Sequence, residues 1–182
     1  TIHLREDRRH IRDADLAAVR GATSLPINLE MATTEEMLAI ALDYKPHAAC
    51  LVPERREERT TEGGLDVARL HNQVAPFVTR LRDAGIRVSL FIEPSVVQVA
   101  VAEAIGAPVV ELHTGKYVEL VFAGDKAGAE TELNRLREAA AHGAEPQHHR
   151  CDDRKRTPQY GGKPRHRQQH HDQSGYVAQV HA

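Results

Sequence analysis

Side chains that can transfer protons or bind anions follow short apolar runs at three places in this sequence. His3 and Arg5 alternate with apolar residues in the run IHLR, and Glu30 does so in INLEM. Glu111 and His113 occupy equivalent alternate positions in PVVELH. An imidazole can exchange protons near neutral pH, and a partly desolvated carboxylate can act as a general base. A guanidinium such as that of Arg5 suits phosphate or carboxylate. The pattern therefore indicates acid/base chemistry on an anionic substrate.

Two further segments have the composition of an anion-binding site. His10 ends the charged run that follows Arg5 and is a second candidate donor. Thr60 begins the run TTEGG, which combines hydroxyl groups and flexible backbone shortly before a predicted helix. Ordinary alternatives stay open, because the first run can be a solvated loop and the second a capped turn. We interpret the charged run at residues 54–59 as a salt-linked surface loop rather than a site.

These side chains need strands and helices that bring them together. Period-two or continuous apolar runs predict strands at residues 2–5, 27–31, 48–52, 87–92 and 108–113. Helical periodicity predicts helices at residues 13–20, from the Thr33-Thr34 N-cap to about 44, and at 65–84, 95–105 and 127–141. Five strands that are each followed by a helix are typical of a parallel α/β fold.

Two parallel architectures fit this alternation, an open doubly wound sheet and part of a (β/α)8 TIM barrel. The glycine-rich fingerprint of dinucleotide-binding sheets does not follow the first predicted strand. The polar residues gather instead at the carboxyl ends of the strands, where barrel enzymes place their active sites. We therefore predict an incomplete barrel of five βα units.

The composition changes sharply along the chain. The 182 residues are 41% apolar and 27% charged, with a formal net charge of −2. Residues 1–141 contain 66 apolar residues, about 47% and typical of a globular protein, whereas residues 142–182 contain 8 in 41. We predict a partial-barrel catalytic domain at residues 1–143 and a non-native or disordered tail rich in His, Arg and Gln at 144–182, with no strand in it.

The tail and the cysteines indicate which partners the protein binds and in which cellular compartment it acts. Two cysteines, no signal segment and no membrane-length apolar run predict a cytoplasmic protein without a membrane partner. His148, His149 and Cys151 could ligate zinc, but they lack the fixed spacing of a zinc site. The basic residues of the tail lack the aromatic pattern of single-stranded nucleic-acid binding. Unstructured sequence is the preferred interpretation, and we expect no nucleic-acid partner.

Several long runs closely resemble pyridoxine 5′-phosphate synthase. They are HLREDRRHI at 3–11, NLEMA at 28–32, EEMLAIAL at 35–42, PHAACLVPERREERTTEGGLDV at 46–67, AGIRVSLFIEP at 84–94 and GAPVVELHTGKY at 106–117. The resemblance implies a (β/α)8 barrel, octameric in the family, that condenses 3-amino-2-oxopropyl phosphate with 1-deoxy-D-xylulose 5-phosphate. The pyridine ring closes with loss of phosphate and water, and the family requires no metal or organic cofactor.

The resemblance also assigns roles to individual residues. By position, His3 and Glu30 match the family's catalytic acid/base pair, and Glu111 matches the carboxylate that stabilises the transition state. Arg5, His10 and Thr60 match its contacts to the deoxyxylulose phosphate substrate. Of these positions, His3, Arg5, Glu30 and Glu111 coincide with candidates found from the strand ends, and His10 and Thr60 with candidates found in the two charged or glycine-rich loops.

The sequence departs from the family pattern at both ends. The family has an Asn-Ile-Asp-His-like strand that the resemblance places before Thr1, and later strands with a Gly-His-Gly-like motif and a glycine-rich phosphate site. From about residue 144 the sequence follows none of these motifs, as a shift of reading frame would produce. We therefore expect the chain as given to be inactive or barely active. The alternatives are another phosphate-binding barrel enzyme, or a non-catalytic protein whose tail binds metal or RNA.

Overall fold

The strands of this protein form one parallel sheet in sequence order. The computed structural model describes residues 1–61 and 63–144, together with the backbone of residues 177–181. The strands are β1 (Ile2–His3), β2 (Asn28–Met31), β3 (Ala48–Leu51), β4 (Arg87–Ile92), β5 (Val109–His113) and β6 (Val177–His181). Every neighbouring pair is parallel, and the order runs from β1 to β6 without reversal. A doubly wound sheet reverses its strand order at a switch point, so this order confirms the partial barrel.

Helices follow each of the first five strands and cover one face of the sheet. They are α1 (Asp13–Ala22), α2 (Glu35–Tyr44), α3 (Val67–Asp83), α4 (Val96–Ala104), α5 (Gly115–Phe122) and α6 (Lys126–Ala144), with a 3-10 turn at Arg56–Glu58. None of the helices in the described ranges is long and apolar enough to cross a lipid bilayer. The five predicted helices are confirmed within three residues at each end. The predicted N-cap of α2 is also confirmed, since the Thr34 hydroxyl accepts a hydrogen bond from the Met37 amide at 3.4 Å.

Alternation along the strands separates an apolar face from a polar face. Leu29 and Met31 are fully buried in the core between sheet and helices, whereas Asn28 and Glu30 lie on the opposite side of β2. The register extends this opposite side across the sheet, because Glu30 pairs with Cys50. We call this side the polar face. It carries His3, Glu30, Cys50, Ser89 and Glu111.

Two elements differ from the sequence-based expectations. Helix α5 was not predicted, because its 8 residues are too few to show a clear helical periodicity of apolar positions. The prediction that no strand occurs after residue 143 is wrong for Val177–His181, which pairs in parallel with β5. The prediction was based on the low average apolar content of the whole tail. A run of five residues with two valines is nevertheless sufficient for a strand beside an open sheet edge. The rest of the tail lies outside the described residues.

The start of α3 is held by a partly buried side-chain bridge. The Asp66 carboxylate accepts hydrogen bonds from the Arg69 amide at 3.2 Å and from Gln98 Nε2 at 2.9 Å. Gln98 is buried, and its Oε1 accepts from the Ala68 amide at 3.0 Å. Burial alone would raise the pKa of Asp66, but the hydrogen bonds from Gln98 and Arg69 together lower it. The bridge therefore joins α3 to α4 most strongly when Asp66 is ionised.

Asp66→Ala is expected to destabilise the fold by about 1–2 kcal/mol near neutral pH, as the loss of a helix cap does. Because the pKa of Asp66 is lowered by folding, its contribution is complete above the unfolded pKa of about 3.9 and declines as the pH falls through the folded value. Urea unfolding at pH 7 and at pH 3 measures the difference between wild type and variant. Asp43→Ala, on the exposed side of α2, is the matched control. An equal difference at both pH values would contradict the prediction.

Candidate active site

The predicted acid/base residues converge at the carboxyl end of the sheet. A cavity of about 510 Å³ opens there. Its lining consists of His3, Glu30, Val52, Pro53, Arg59, Gly63, Phe91, Glu111 and His113. Strand parity places the ionisable members from β1, β2 and β5 on the polar face, and parallel pairing places their carboxyl ends together. The structure thus brings His3, Glu30 and Glu111 to one cavity.

The His3 ring lies between two carboxylates. Its Nδ1 is 3.4 Å from Glu30 Oε2, and its Nε2 is 3.1 Å from Glu54 Oε1. The Glu30 side chain is 31% exposed, whereas that of Glu54 is only 4% exposed. Both nitrogens of one imidazole therefore face carboxylates that can accept a proton or a hydrogen bond, which is a suitable arrangement for acid/base chemistry at the ring.

Glu54 is the functional candidate that the sequence analysis missed. Its Oε2 accepts a hydrogen bond from the Glu6 amide at 3.0 Å and lies 4.0 Å from Arg5 Nη2. The charged run at 54–59 was interpreted as a surface loop, and Arg55 and Arg56 are indeed exposed. Glu54 differs because the chain stays buried through Val52 and Pro53 after β3, and the Glu54 side chain contacts His3 beside β1. Its position at the end of this buried segment was the signal that could have identified it.

Glu111 lines the cavity and is itself buried, with only 4% exposed. The Ser89 hydroxyl donates a hydrogen bond of 2.6 Å to Glu111 Oε1. Burial, and next the negative charge of Glu111, raise the pKa of the neighbouring Cys50 thiol well above its usual value. Cys50 is therefore a neutral thiol on the polar face beside Glu111.

The loop after β3 forms a second, adjoining cavity of about 680 Å³. Arg59 and Gly63 line both cavities. The Thr60 amide donates to the Gly64 carbonyl at 2.8 Å, which closes the turn. The Thr60 hydroxyl is buried and has no hydrogen-bond partner among the described residues. The loop thus places a cation, Arg59, in the lining of both cavities and a buried, unsatisfied hydroxyl at Thr60 beside the second one.

Arg5 and His10 occupy different positions relative to this cavity. The Arg5 side chain is 25% exposed, and its Nε donates to Asp7 Oδ1 at 3.4 Å. Its other end approaches Glu54, so Arg5 lies at the rim of the His3 cluster. His10 is exposed in the loop between β1 and α1 and, within the described part of the chain, makes no hydrogen bond or ion pair with the cluster.

His113 packs at the side of the cavity. Its ring meets the Phe91 ring edge-on, with the centroids 5.2 Å apart, and its Nδ1 accepts from the Gly115 amide at 3.3 Å. No group of three or more His, Cys, Asp or Glu in the described ranges is arranged to hold a metal ion. The site as it stands offers proton transfer, a buried carboxylate and cationic and hydroxyl donors.

A sequentially ordered parallel βα sheet with ionisable residues at its carboxyl end is the architecture of the (β/α) barrel class of proteins. A family model described as pyridoxal phosphate biosynthesis protein PdxJ matches residues 1–148. The chain belongs to this family. It is 59% identical over 145 residues to a pyridoxine 5′-phosphate synthase of Jannaschia sp. (strain CCS1), covering 80% of this chain and 58% of the relative.

Other relatives with the same name show similar agreement. The enzyme of Cereibacter sphaeroides is 61% identical over 141 residues, which is 78% of this chain and 56% of the relative. That of Rhodospirillum rubrum is 58% identical over 142 residues, again 78% and 56%. The chain therefore spans somewhat more than half the length of the curated relatives it matches.

Proposed function

We propose that this chain carries the acid/base centre and the deoxyxylulose-phosphate-binding part of a pyridoxine 5′-phosphate synthase. The reaction condenses 3-amino-2-oxopropyl phosphate with 1-deoxy-D-xylulose 5-phosphate to form pyridoxine 5′-phosphate, phosphate and water. The observation that carries the proposal is the His3 ring between Glu30 and Glu54, above the buried Glu111, in one cavity at the carboxyl end of the sheet.

The cluster suits the repeated proton transfers of this condensation. Imine formation, loss of water and ring closure each need a group that gives a proton and a group that takes one. His3 and Glu30 are 3.4 Å apart and serve as the exchanging pair. Glu111, held by Ser89, supplies a fixed negative charge that stabilises positive charge developing on nitrogen in the transition state.

The rim of the cavity suits a phosphorylated substrate. Arg5 provides a guanidinium beside His3, and the Thr60 hydroxyl is without a partner in the described structure. A buried hydroxyl without a partner carries a desolvation cost that a substrate oxygen would relieve. His10 is proposed as a third contact, which requires the loop after β1 to approach the bound substrate.

The wider assignments follow the same proposal. We assign residues 1–143 to the catalytic domain and residues 144–182 to a frame-shifted tail. We also propose a cytoplasmic homo-oligomer, an octamer as in the family, that acts without a metal or organic cofactor. The nucleotide sequence across codons 140–182 tests the tail, because an alternative frame there must encode two apolar strand runs.

Calorimetric titration of the full chain with 1-deoxy-D-xylulose 5-phosphate is expected to give saturable binding that Arg5→Gln weakens about 10- to 100-fold. This range corresponds to the loss of a hydrogen bond to a charged group. Arg80→Gln is the matched control, because Arg80 pairs with Glu35 on the exposed helical surface. Absence of binding by the wild type, or equal weakening by both variants, would contradict the proposed function.

A further inference from the structure

We propose that Glu54 is a positioning residue that keeps the hydrogen of the neutral His3 ring on Nε2, so that Nδ1 is the nitrogen that exchanges a proton with Glu30. The catalytic meaning of this inference rests on the proposed function. The tautomer itself is a property of the folded chain without substrate.

The two carboxylates beside His3 differ in distance and in burial. Glu54 Oε1 is 3.1 Å from Nε2, and Glu30 Oε2 is 3.4 Å from Nδ1. The Glu54 side chain is 4% exposed, against 31% for Glu30. Water can therefore solvate Glu30, whereas Glu54 depends on protein donors.

A carboxylate only accepts hydrogen bonds, and a neutral imidazole has one hydrogen to donate. Leaving a buried carboxylate oxygen without a donor costs more than leaving a solvated one. The single ring hydrogen is therefore placed on Nε2, toward Glu54. The lone pair of Nδ1 then faces Glu30.

Glu54 is itself held in a fixed orientation. Its Oε2 accepts from the Glu6 amide at 3.0 Å and faces Arg5 Nη2 at 4.0 Å, while Oε1 is directed at His3. Its own amide donates to Glu58 Oε2 at 3.0 Å, which holds the backbone of the loop. Oε1 of Glu54 thus contacts the His3 ring, whereas Oε2 contacts the donors that fix the orientation of the carboxylate.

The consequence for proton transfer is directional. When Glu30 is protonated, its hydrogen can pass to Nδ1, which gives a carboxylate and an imidazolium. When the imidazolium releases that proton back through Nδ1, the other hydrogen stays on Nε2 throughout and remains hydrogen-bonded to Glu54 Oε1. This is the relation by which a buried carboxylate sets the tautomer of a catalytic histidine, or of one that binds metal.

The test is the tautomer of His3 in the full chain, read from the ¹⁵N signals of histidine-labelled protein above the titration of the ring. His3→Gln identifies the signals by their loss. The wild type is expected to show a protonated Nε2 and an unprotonated Nδ1. Glu54→Gln is expected to reverse this assignment.

The reversal follows from the single oxygen of the glutamine amide. That oxygen is needed on the side of the Glu6 amide and Arg5, which can only donate. The amide nitrogen then faces His3, and imidazole is the one partner that can change from donor to acceptor by moving its hydrogen to Nδ1.

Glu58→Gln is the matched control, because Glu58 holds backbone amides of the same loop and does not touch the ring. It is expected to leave the His3 tautomer unchanged. A wild-type ring with its hydrogen on Nδ1, or an unchanged tautomer in Glu54→Gln, would overturn the inference. Neither tautomer result bears on the proposed function, which is tested separately by the binding of 1-deoxy-D-xylulose 5-phosphate. Loss of that binding with the expected tautomers would overturn the proposed function alone.

Discussion

Gly64→Ala is expected to destabilise the protein by about 3 kcal/mol, the upper part of the range for overpacking a rigid site. A Cβ atom at Gly64 would lie 2.6 Å from the carbonyl carbon of Ile92 and closer still to the backbone nitrogen of Glu93. Both are main-chain atoms at the end of β4 and cannot rotate away. The next residue binds the same strand, since the Leu65 amide donates to the Phe91 carbonyl at 2.8 Å.

Urea unfolding measures this effect, and titration with 1-deoxy-D-xylulose 5-phosphate shows whether displacement of the loop also weakens binding. Gly21→Ala is the matched control. Gly21 lies in α1, and nothing lies within 4 Å of the position that its Cβ would take. Alanine there is expected to stabilise the helix by about 0.5–1 kcal/mol. If Gly64→Ala and Gly21→Ala are similarly stable, the loop can move to accommodate a Cβ atom at Gly64 and the prediction is wrong.

Leu29→Ala is expected to destabilise the fold by about 2–5 kcal/mol, the usual cost of truncating a buried leucine. Leu29 is 1% exposed and lies between Asn28 and Glu30 on β2, so the cavity forms directly behind the proposed acid/base carboxylate. This cost is a large part of the 5–15 kcal/mol that stabilises a typical domain.

Thermal and urea unfolding of Leu29→Ala and Leu25→Ala provide a matched comparison of the same truncation. Leu25 is 73% exposed in the loop before β2, and its variant is expected to lie within about 0.5 kcal/mol of wild type. If both variants unfold alike, Leu29 does not contribute the packing that its burial implies.

Much of the fold could be predicted because local pattern and tertiary environment agree. Leu29 and Met31 alternate with polar residues, and the structure uses that alternation to separate core from polar face. The strand at residues 177–181 could not be predicted in this way, since its pairing depends on the exposed edge of β5 rather than on the surrounding composition. Helix α5 is similarly short. Its formation depends more on its place directly after β5 than on a periodic pattern in its own sequence.

The candidate site likewise has one part that the sequence predicts and one part that depends on tertiary contacts. The convergence of His3, Glu30 and Glu111 follows from strand parity and parallel pairing, which are visible in the sequence. The burial of Glu54 is not, because a run of six charged residues does not show which member turns inward. That depends on a contact between segments about 50 residues apart, from Glu54 to His3 and the Glu6 amide.

The unbroken order of the strands has a consequence for how the protein folds. Each strand pairs with the strand that comes next in the chain, so the first five strands pair only across βα units of about 20 to 40 residues. Proteins with such local connectivity fold faster than those that must join distant segments, and neighbouring units support one another as repeats do. The residues of the proton-transfer cluster, His3, Glu30 and Glu54, all precede α3 in the chain, whereas Glu111 follows β4. The contacts of the cluster therefore need no strand beyond β3, but Glu111 joins the site only when β5 pairs with β4.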